Sequence, residues 1–257
     1  MSEDPDMKGR TFFMPADDSL LICKTYYNEN STDATGRILL EKYFLQKGRI
    51  QKLLEFPFSE SDHGQKEGME ILNMAYASGK IYIFSAEHLE GTANCFLAVY
   101  NADGSLQKKI EVEDSIGEFL RQSEYVDIDE NYFFISDYEG KSILLKIQAD
   151  EIEQIGIPEE KLALAGGGYK NVSPLIVRQT ESGKLYYFDK ESEELKEIPF
   201  ESPVEGYVVS NVIRDDQNHL LIVLEAILDP DVSYTDETWP PKKLYYTTLE
   251  DLLRQPA

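Results

Sequence analysis

The sequence is poor in the residues that most catalytic and metal centres need. Its 257 residues include three histidines, two cysteines and one tryptophan. It contains no Gly-x-Ser-x-Gly elbow, no complete Gly-x-x-x-x-Gly-Lys-Ser/Thr phosphate-binding loop, no His-Glu-x-x-His pair and no EF-hand loop. We therefore do not expect a histidine-rich metal cage or a common hydrolase or nucleotide site. The sequence favours a non-enzymatic protein and leaves an enzyme open.

The two cysteines are far apart, and each lies in an apolar run that is typical of a strand. Cys23 follows Leu21 and Ile22, and Cys95 precedes Phe96. Cysteines in such runs usually behave as buried small hydrophobic residues. We therefore expect buried thiols rather than a disulfide or a metal-binding pair.

Long hydrophobic runs are absent too. No segment approaches the roughly 18 consecutive apolar residues of a candidate transmembrane helix. The first residues, Met-Ser-Glu-Asp-Pro-Asp, lack the apolar core of a signal peptide. We expect no membrane span and a cytoplasmic protein, with a secreted protein or lipoprotein that has lost its leader as the alternative.

Positive charge is scarce. The chain carries 25 lysines and arginines against 48 acidic residues, a formal net charge of −23. Such a negative field repels phosphate backbones and anionic lipid head groups, so nucleic acids and membrane surfaces are poor partners by net charge. Basic proteins, divalent cations and neutral glycans stay open, although acidity by itself also keeps a sheet-rich protein soluble. We expect a monomer that binds a protein or glycan ligand.

Aromatic residues are plentiful, with 16 tyrosines and 12 phenylalanines, and they lie in a repeat. An apolar strand, a short polar turn and a strongly apolar strand recur five times. The copies begin at Thr11, Ile71, Tyr125, Pro174 and Tyr207. Further strands follow most copies, and repeats of this length predict an all-β fold of the β-propeller class.

The repeat predicts one propeller domain over residues 1–257, with residues 1–9 disordered. Five blades are expected, or six if one is degenerate. The leucine spacing of Leu249–Arg254 predicts a short C-terminal helix, which leaves the last blade without an outer strand. Asp114–Gln122 is expected to be a connecting loop. The predicted blades lie near residues 10–58, 71–112, 125–157, 162–200 and 206–254.

Three segments carry a resemblance to a known group of proteins: Ser78–Phe84, Ser182–Phe188 and Tyr100–Leu106. They resemble the six-bladed TolB-like and NHL-like β-propellers, in which a Gly-Lys-aliphatic-Tyr strand and an Asn-x-Asp-Gly turn recur. The resemblance implies the propeller fold, and it implies no single activity because many functions share these patterns. The chain departs from the group in showing five copies where six are usual.

The innermost strands of a propeller line an axial channel, so residues on them are candidate ligands. Asp127 and Asp129 lie two residues apart on a predicted innermost strand and would share one face. Asn73, Arg178 and Asn211 occupy comparable positions in other copies. Converging carboxylate and amide oxygens suit a divalent cation. We expect no cofactor. Two interpretations of these residues stay open: they bind a divalent cation in the channel, or Asp129 belongs to a turn and Asp127 is solvated.

The long loop Asp229–Pro241 carries Tyr234 and the only tryptophan, Trp239. A rigid aromatic side chain on such a loop can contact a partner or can cap the domain's own core. The sequence therefore predicts a non-enzymatic binding or interaction module that uses its loops and channel. Two alternatives stay open: a channel-centred, metal-dependent hydrolase of lactonase-like or glycan-processing type, and an acidic antagonist of a basic protein.

Overall fold

The computed structural model describes most of the chain. The chain divides into two compact units, residues 1–126 with 147–153 and residues 127–146 with 154–257. That the whole chain forms one domain stays a prediction. The described residues are 12–16, 19–28, 34–60, 66–89, 92–137, 141–149, 151–157, 162–164, 174–214, 219–229, 235 and 238–254.

One sheet of eight strands dominates the first unit. The strands follow sequence order, and each is antiparallel to the next, so every connection joins neighbouring strands. Ser78 and Gly79 both have positive φ, as a two-residue hairpin turn requires. The strands are β1 (Phe12–Ala16), β2 (Ser19–Asn28), β3 (Ala34–Phe44), β4 (Arg49–Glu60), β5 (Lys66–Ala77), β6 (Lys80–Leu89), β7 (Thr92–Asn101) and β8 (Leu106–Val112).

The eight strands divide into two halves, β1–β4 and β5–β8, and the bounds of the predicted blades stay a prediction. Among the described residues, strand pairing links the two halves at the ends of β4 and β5, where Phe58 is opposite Gly68. The two halves share one hydrophobic core, which includes Cys23. Cys95 is buried outside this core. Both cysteines are buried free thiols, as predicted. Other members of this shared core are Met14, Leu21, Ile38, Leu40, Ile71, Met74, Ile81, Ile83 and Tyr100.

The prediction of a loop at residues 114–122 is wrong, because Asp114–Gln122 forms helix α1. Ile116 and Leu120, four residues apart, are buried on one side of this helix. The helix contacts β5 and β7. A side chain at Gly117 would overlap the Cys95 sulfur, so glycine permits this close approach.

Three smaller antiparallel sheets follow along the chain. Their orders are β12-β11-β10-β9, β13-β14-β15-β16 and β17-β18-β19, so neighbouring strands are again consecutive. The strands are β9 (Ser123–Asp129), β10 (Tyr132–Asp137), β11 (Ser142–Gln148), β12 (Glu151–Ile155), β13 (Leu162–Leu164), β14 (Ile176–Gln179), β15 (Leu185–Asp189), β16 (Glu194–Ile198), β17 (Tyr207–Arg214), β18 (His219–Ala226) and β19 (Lys243–Thr248).

In the second unit, the β13–β16 sheet packs on a different sheet at each face. Val177 belongs to a core with Phe134 and Leu144 of β10 and β11. The adjacent residue, Ile176, belongs to a core with residues of β17 and β18 such as Val212. Since successive strand residues point to opposite faces, this alternation stacks three sheets face to face. Such stacking is the arrangement of propeller blades.

The C-terminal helix is confirmed. Helix α2 spans Leu249–Leu253, and the Thr248 hydroxyl caps it by accepting a hydrogen bond from the Asp251 backbone N–H at 3.1 Å. The last sheet has three strands among the described residues, which agrees with the expected lack of an outer strand. The antiparallel sheets that make up most of the described residues confirm the all-β class. The blade count and the closure of a ring stay predictions.

Candidate functional site

Asn73, a predicted channel residue, holds the backbone of its own strand. It is 4% exposed and follows a β-bulge, where the register of β5 against β6 shifts between Ile71 and Asn73. Its Oδ1 accepts a hydrogen bond from the Met74 N–H at 2.8 Å, and its Nδ2 donates to the Ser123 hydroxyl at 3.2 Å. Both ends of the amide are therefore used inside the first unit.

Asn211 repeats this local arrangement in the second unit. The register of β17 against β18 shifts between Val209 and Asn211. The Asn211 Oδ1 accepts a hydrogen bond from the Val212 N–H at 2.8 Å. Bulges kink a strand and leave one residue unpaired. The two asparagines thus serve the same backbone geometry in two distant copies of the repeat.

In the third copy of the repeat, β9 and β10, a buried carboxylate lies beside a lysine. Asp127 and Asp129 both lie in β9, and Asp129 is 2% exposed. Its Oδ1 accepts a hydrogen bond from Lys190 Nζ at 3.2 Å, and the same ammonium donates to Glu130 at 3.0 Å. Partial burial alone would lower the pKa of Lys190, but the hydrogen bonds to Glu130 and Asp129 and their negative charges outweigh it and raise that pKa.

A second polar group lies on the same two sheets. The Tyr132 hydroxyl donates to Glu193 at 2.9 Å, and Lys146 also donates to Glu193. The hydrogen bond from Lys146 lowers the pKa of Glu193, whereas burial and the Glu193 hydrogen bond raise the pKa of Tyr132. These contacts join the β9–β12 and β13–β16 sheets. The sequence did not reveal them, because the partners are 47 to 61 residues apart.

Arg178 connects the β13–β16 sheet with the last sheet. Its guanidinium lies 3.3 Å from the Thr180 carbonyl and 3.4 Å from the Val209 carbonyl, and it donates to both. Burial lowers the pKa of Arg178, and the negative charge of Glu225 opposes that shift. Within the second unit, Arg178 therefore reaches the backbone of β17, two residues before Asn211.

The predicted recognition loop is described in part. Tyr234 lies outside the described residues. Trp239 is 55% exposed, and its backbone N–H donates to the Thr235 carbonyl at 2.8 Å. The nearby Pro241 carbonyl accepts a hydrogen bond from the Tyr207 hydroxyl at 3.2 Å, which holds this end of the loop on β17. The Trp239 ring is therefore largely open to solvent on a tethered segment.

Strand β19 presents apolar side chains at alternate positions. Leu244 and Tyr246 are each 65% exposed. Ile227, which directly follows β18, is 66% exposed. The Tyr246 ring lies 5.3 Å from the His219 ring, centroid to centroid. Among the described residues, β19 pairs only with β18, so it is an edge strand. We call Leu244, Tyr246 and Trp239 the β19 surface.

The part of the chain that the structure describes contains no cluster of three or more histidine, cysteine or acidic side chains with metal-binding geometry. The channel cation stays a prediction. Neither described helix has the length and apolar content needed to span a bilayer.

Comparison with known proteins gives similarity of structure only. No protein-family model matches the chain, and no curated protein sequence matches it. The polysaccharide lyase Uly1 is similar with a TM-score of 0.48 and 14% identity, over 95% of this chain and 61% of the lyase. The β-propeller domain of Myceliophteria thermophila Cps50 (Swd1) gives a TM-score of 0.44 and 12% identity, over 96% of this chain and 74% of that domain.

The α-L-arabinanase of Penicillium chrysogenum gives a TM-score of 0.43 and 11% identity, over 95% of this chain and 78% of the arabinanase. These structures include two enzymes and one β-propeller domain. The assignment of this chain to blade-like antiparallel sheets depends on the strand order and the packing of its own sheets.

Proposed function

We propose that this chain is a non-enzymatic binding module that holds an extended, basic segment of a partner protein along β19. The observation that carries the proposal is the pair of exposed side chains, Leu244 and Tyr246, at alternate positions of an edge strand. An extended peptide can add to such an edge through backbone hydrogen bonds, and alternate side chains then supply specificity.

Two other outer strands, β12 and β16, support this choice by contrast. The exposed residues of β12 are Glu151, Glu153 and Gln154, and those of β16 are Glu194, Lys196 and Glu197. Charged side chains on edge strands discourage pairing with another chain. Strand β19 carries its one exposed charge, Lys243, at its first position, so its remaining length lacks this protection.

Charge favours a cationic partner. The net charge of −23 attracts basic segments at low salt and raises their association rate, and this attraction weakens as salt screens the charges. The exposed indole of Trp239 adds a flat surface for an apolar, aromatic or cationic side chain of that segment. The proposal thus keeps the protein ligand and the aromatic loop of the sequence analysis and moves the main contact to β19.

Selection from a displayed library of extended peptides tests the proposal. We expect the wild-type protein to enrich basic peptides with alternating apolar residues. The double variant Leu244→Lys and Tyr246→Lys is expected to lose this enrichment, because it adds charge to the edge without changing a buried side chain. Amide hydrogen exchange should slow in β19 when a selected peptide is bound.

The matched control is Leu106→Lys, which adds a lysine at a 55% exposed leucine on another outer strand, β8. This control should bind like the wild type. Equal binding by the β19 double variant, or slower exchange in a strand other than β19, would contradict the proposal.

A further inference from the structure

The hairpin between β3 and β4 is positively charged, although the chain as a whole is strongly negative. From Lys42 to Leu54 the sequence contains three lysines and one arginine and no carboxylate, within a chain that has 48 acidic residues. We call residues 42–52 the basic tip. The hairpin is well defined: Phe44 pairs with Arg49, and the Gly48 N–H donates to the Phe44 carbonyl at 2.9 Å.

Two of the cations lie near one aromatic ring, and a third is on the same face of the hairpin. Lys42 Nζ lies 5.4 Å and Lys47 Nζ 6.0 Å from the centroid of the Phe44 ring. Arg49 is directly opposite Phe44 in the strand register, so its side chain is on the same face. Like charges held this close repel one another. The arrangement therefore favours an anion at this face.

The carboxylates that flank the basic tip are already paired. Glu41 accepts a hydrogen bond from Lys24 at 3.1 Å, and Glu55 pairs with Lys52 at 2.6 Å and with Arg37 at 3.6 Å. Within the described residues, Lys42, Lys47 and Arg49 make no ion pair. The uncompensated positive charge is thus confined to the end of the hairpin.

The same end carries exposed aliphatic side chains. Leu45 is 61% exposed and Ile50 is 57% exposed, on either side of the turn. A hairpin end is convex, so it offers no groove for a peptide, but it can enter a soft surface. Leu45 lies in the turn with Lys47, and Ile50, opposite Tyr43, directly follows Arg49 in β4. Exposed aliphatic side chains interspersed with lysine and arginine match the boundary between acyl chains and head groups.

We infer that the basic tip binds the surface of an anionic lipid bilayer, with Leu45 and Ile50 entering it and Lys42, Lys47 and Arg49 contacting phosphate groups. The net charge of −23 does not prevent this, because salt screens charges beyond about 8 Å at physiological ionic strength. Repulsion then comes mainly from groups near the contact, and the two nearest carboxylates in the hairpin are paired. The inference is independent of the β19 surface.

Sedimentation with lipid vesicles tests the inference on the full chain. Vesicles of three parts phosphatidylglycerol to seven parts phosphatidylcholine should retain the wild-type protein at low salt and release it at about 0.5 M salt. The double variant Lys47→Gln and Arg49→Gln should bind about 25-fold more weakly, since each cation near an anionic surface contributes about fivefold. Leu45→Ser with Ile50→Ser should lower binding about tenfold or more.

Leu89→Ser is the matched control, because Leu89 is 70% exposed at the end of β6. Its neighbours in the sequence, Glu87 and Glu90, are acidic. This variant should bind vesicles like the wild type, and circular dichroism should show all variants folded. Three results would each overturn the inference: no retention by anionic vesicles, equal retention by pure phosphatidylcholine, or unchanged binding by the glutamine variant. Binding to polyglutamate without binding to vesicles would also overturn the inference and would instead indicate an acidic protein partner.

Discussion

The turn at Gly183 offers the sharpest test of how the sheets of the second unit pack. Gly183 has φ +72°, and a Cβ atom at this position would lie 2.9 Å from the Val209 nitrogen and 3.2 Å from its carbonyl oxygen. Real Cβ atoms do not approach backbone atoms this closely, so the β14–β15 turn must move away from β17 when Gly183 becomes alanine. The substitution therefore strains a contact between two sheets.

Two costs add in the Gly183→Ala variant. An alanine in the left-handed region costs about 1 kcal/mol relative to glycine. Overpacking against a backbone that has little room costs about 1–3 kcal/mol more. We therefore expect the free energy of unfolding to fall by about 2–4 kcal/mol, and each kcal/mol lowers the melting temperature of a chain of this size by about 2–4 °C.

The control is Gly206→Ala in the same unit. Gly206 has φ +75°, and no atom lies within 4 Å of the added Cβ position, so only the first cost applies. Urea unfolding followed by circular dichroism should show Gly206→Ala destabilised by about 1 kcal/mol and Gly183→Ala by clearly more. Equal losses in the two variants would refute the close approach of the turn to Val209.

Three further predictions concern single contacts. Asn73→Ala should lower the free energy of unfolding by about 1–3 kcal/mol in urea titrations, because it leaves buried polar groups unpaired; an unchanged value would argue against the role of Asn73 at the bulge. Gly117→Ala should destabilise by about 1–3 kcal/mol, and Cys95→Ala in the same chain should recover part of this loss, as a double-mutant cycle would show. Since the hydrogen bonds to Glu130 and Asp129 raise the folded pKa of Lys190, the stability they add is fully present below the unfolded pKa and is lost as the pH rises through the folded pKa, so Lys190→Met should flatten the alkaline part of the stability curve.

Local signals in the sequence predicted the strand pairs. The Ser78-Gly79 and Ser182-Gly183 turns are each followed by a strongly apolar strand, and the structure forms β6 and β15 there. The alternation of side chains and the turn chemistry act over a few residues, so they can be seen in one sequence. The C-terminal helix was predictable for the same reason, from the leucines at 249, 252 and 253.

Helix α1 was missed because its composition is typical of a loop. Ser115 and Gly117 have low helix propensity, and this segment of nine residues has only a short apolar stripe. Its helix is stabilised by the burial of Ile116 and Leu120 beside β5 and β7, which a single sequence does not place next to it. Tertiary packing decided the conformation against local preference.

The candidate sites show the same division. Asn73 and Asn211 were predicted as channel ligands because they occupy innermost-strand positions comparable to that of Asp127 in other copies of the repeat. The structure shows that each accepts a hydrogen bond from the next residue at a bulge, a backbone feature that the residue pattern does not encode. The basic tip was hidden by the net charge, because a sum over 257 residues conceals a cationic segment of about a dozen.

The burial of both thiols makes the native protein a convenient subject for site-specific labelling. Cys23 and Cys95 are 1% and 2% exposed, and burial raises the pKa of the Cys23 thiol to about 12 and also raises that of Cys95. Maleimides and alkylating reagents react with thiolates, so both native groups are inert near neutral pH. A single cysteine introduced at Gln46 in the basic tip would carry a fluorophore alone and report directly on that surface.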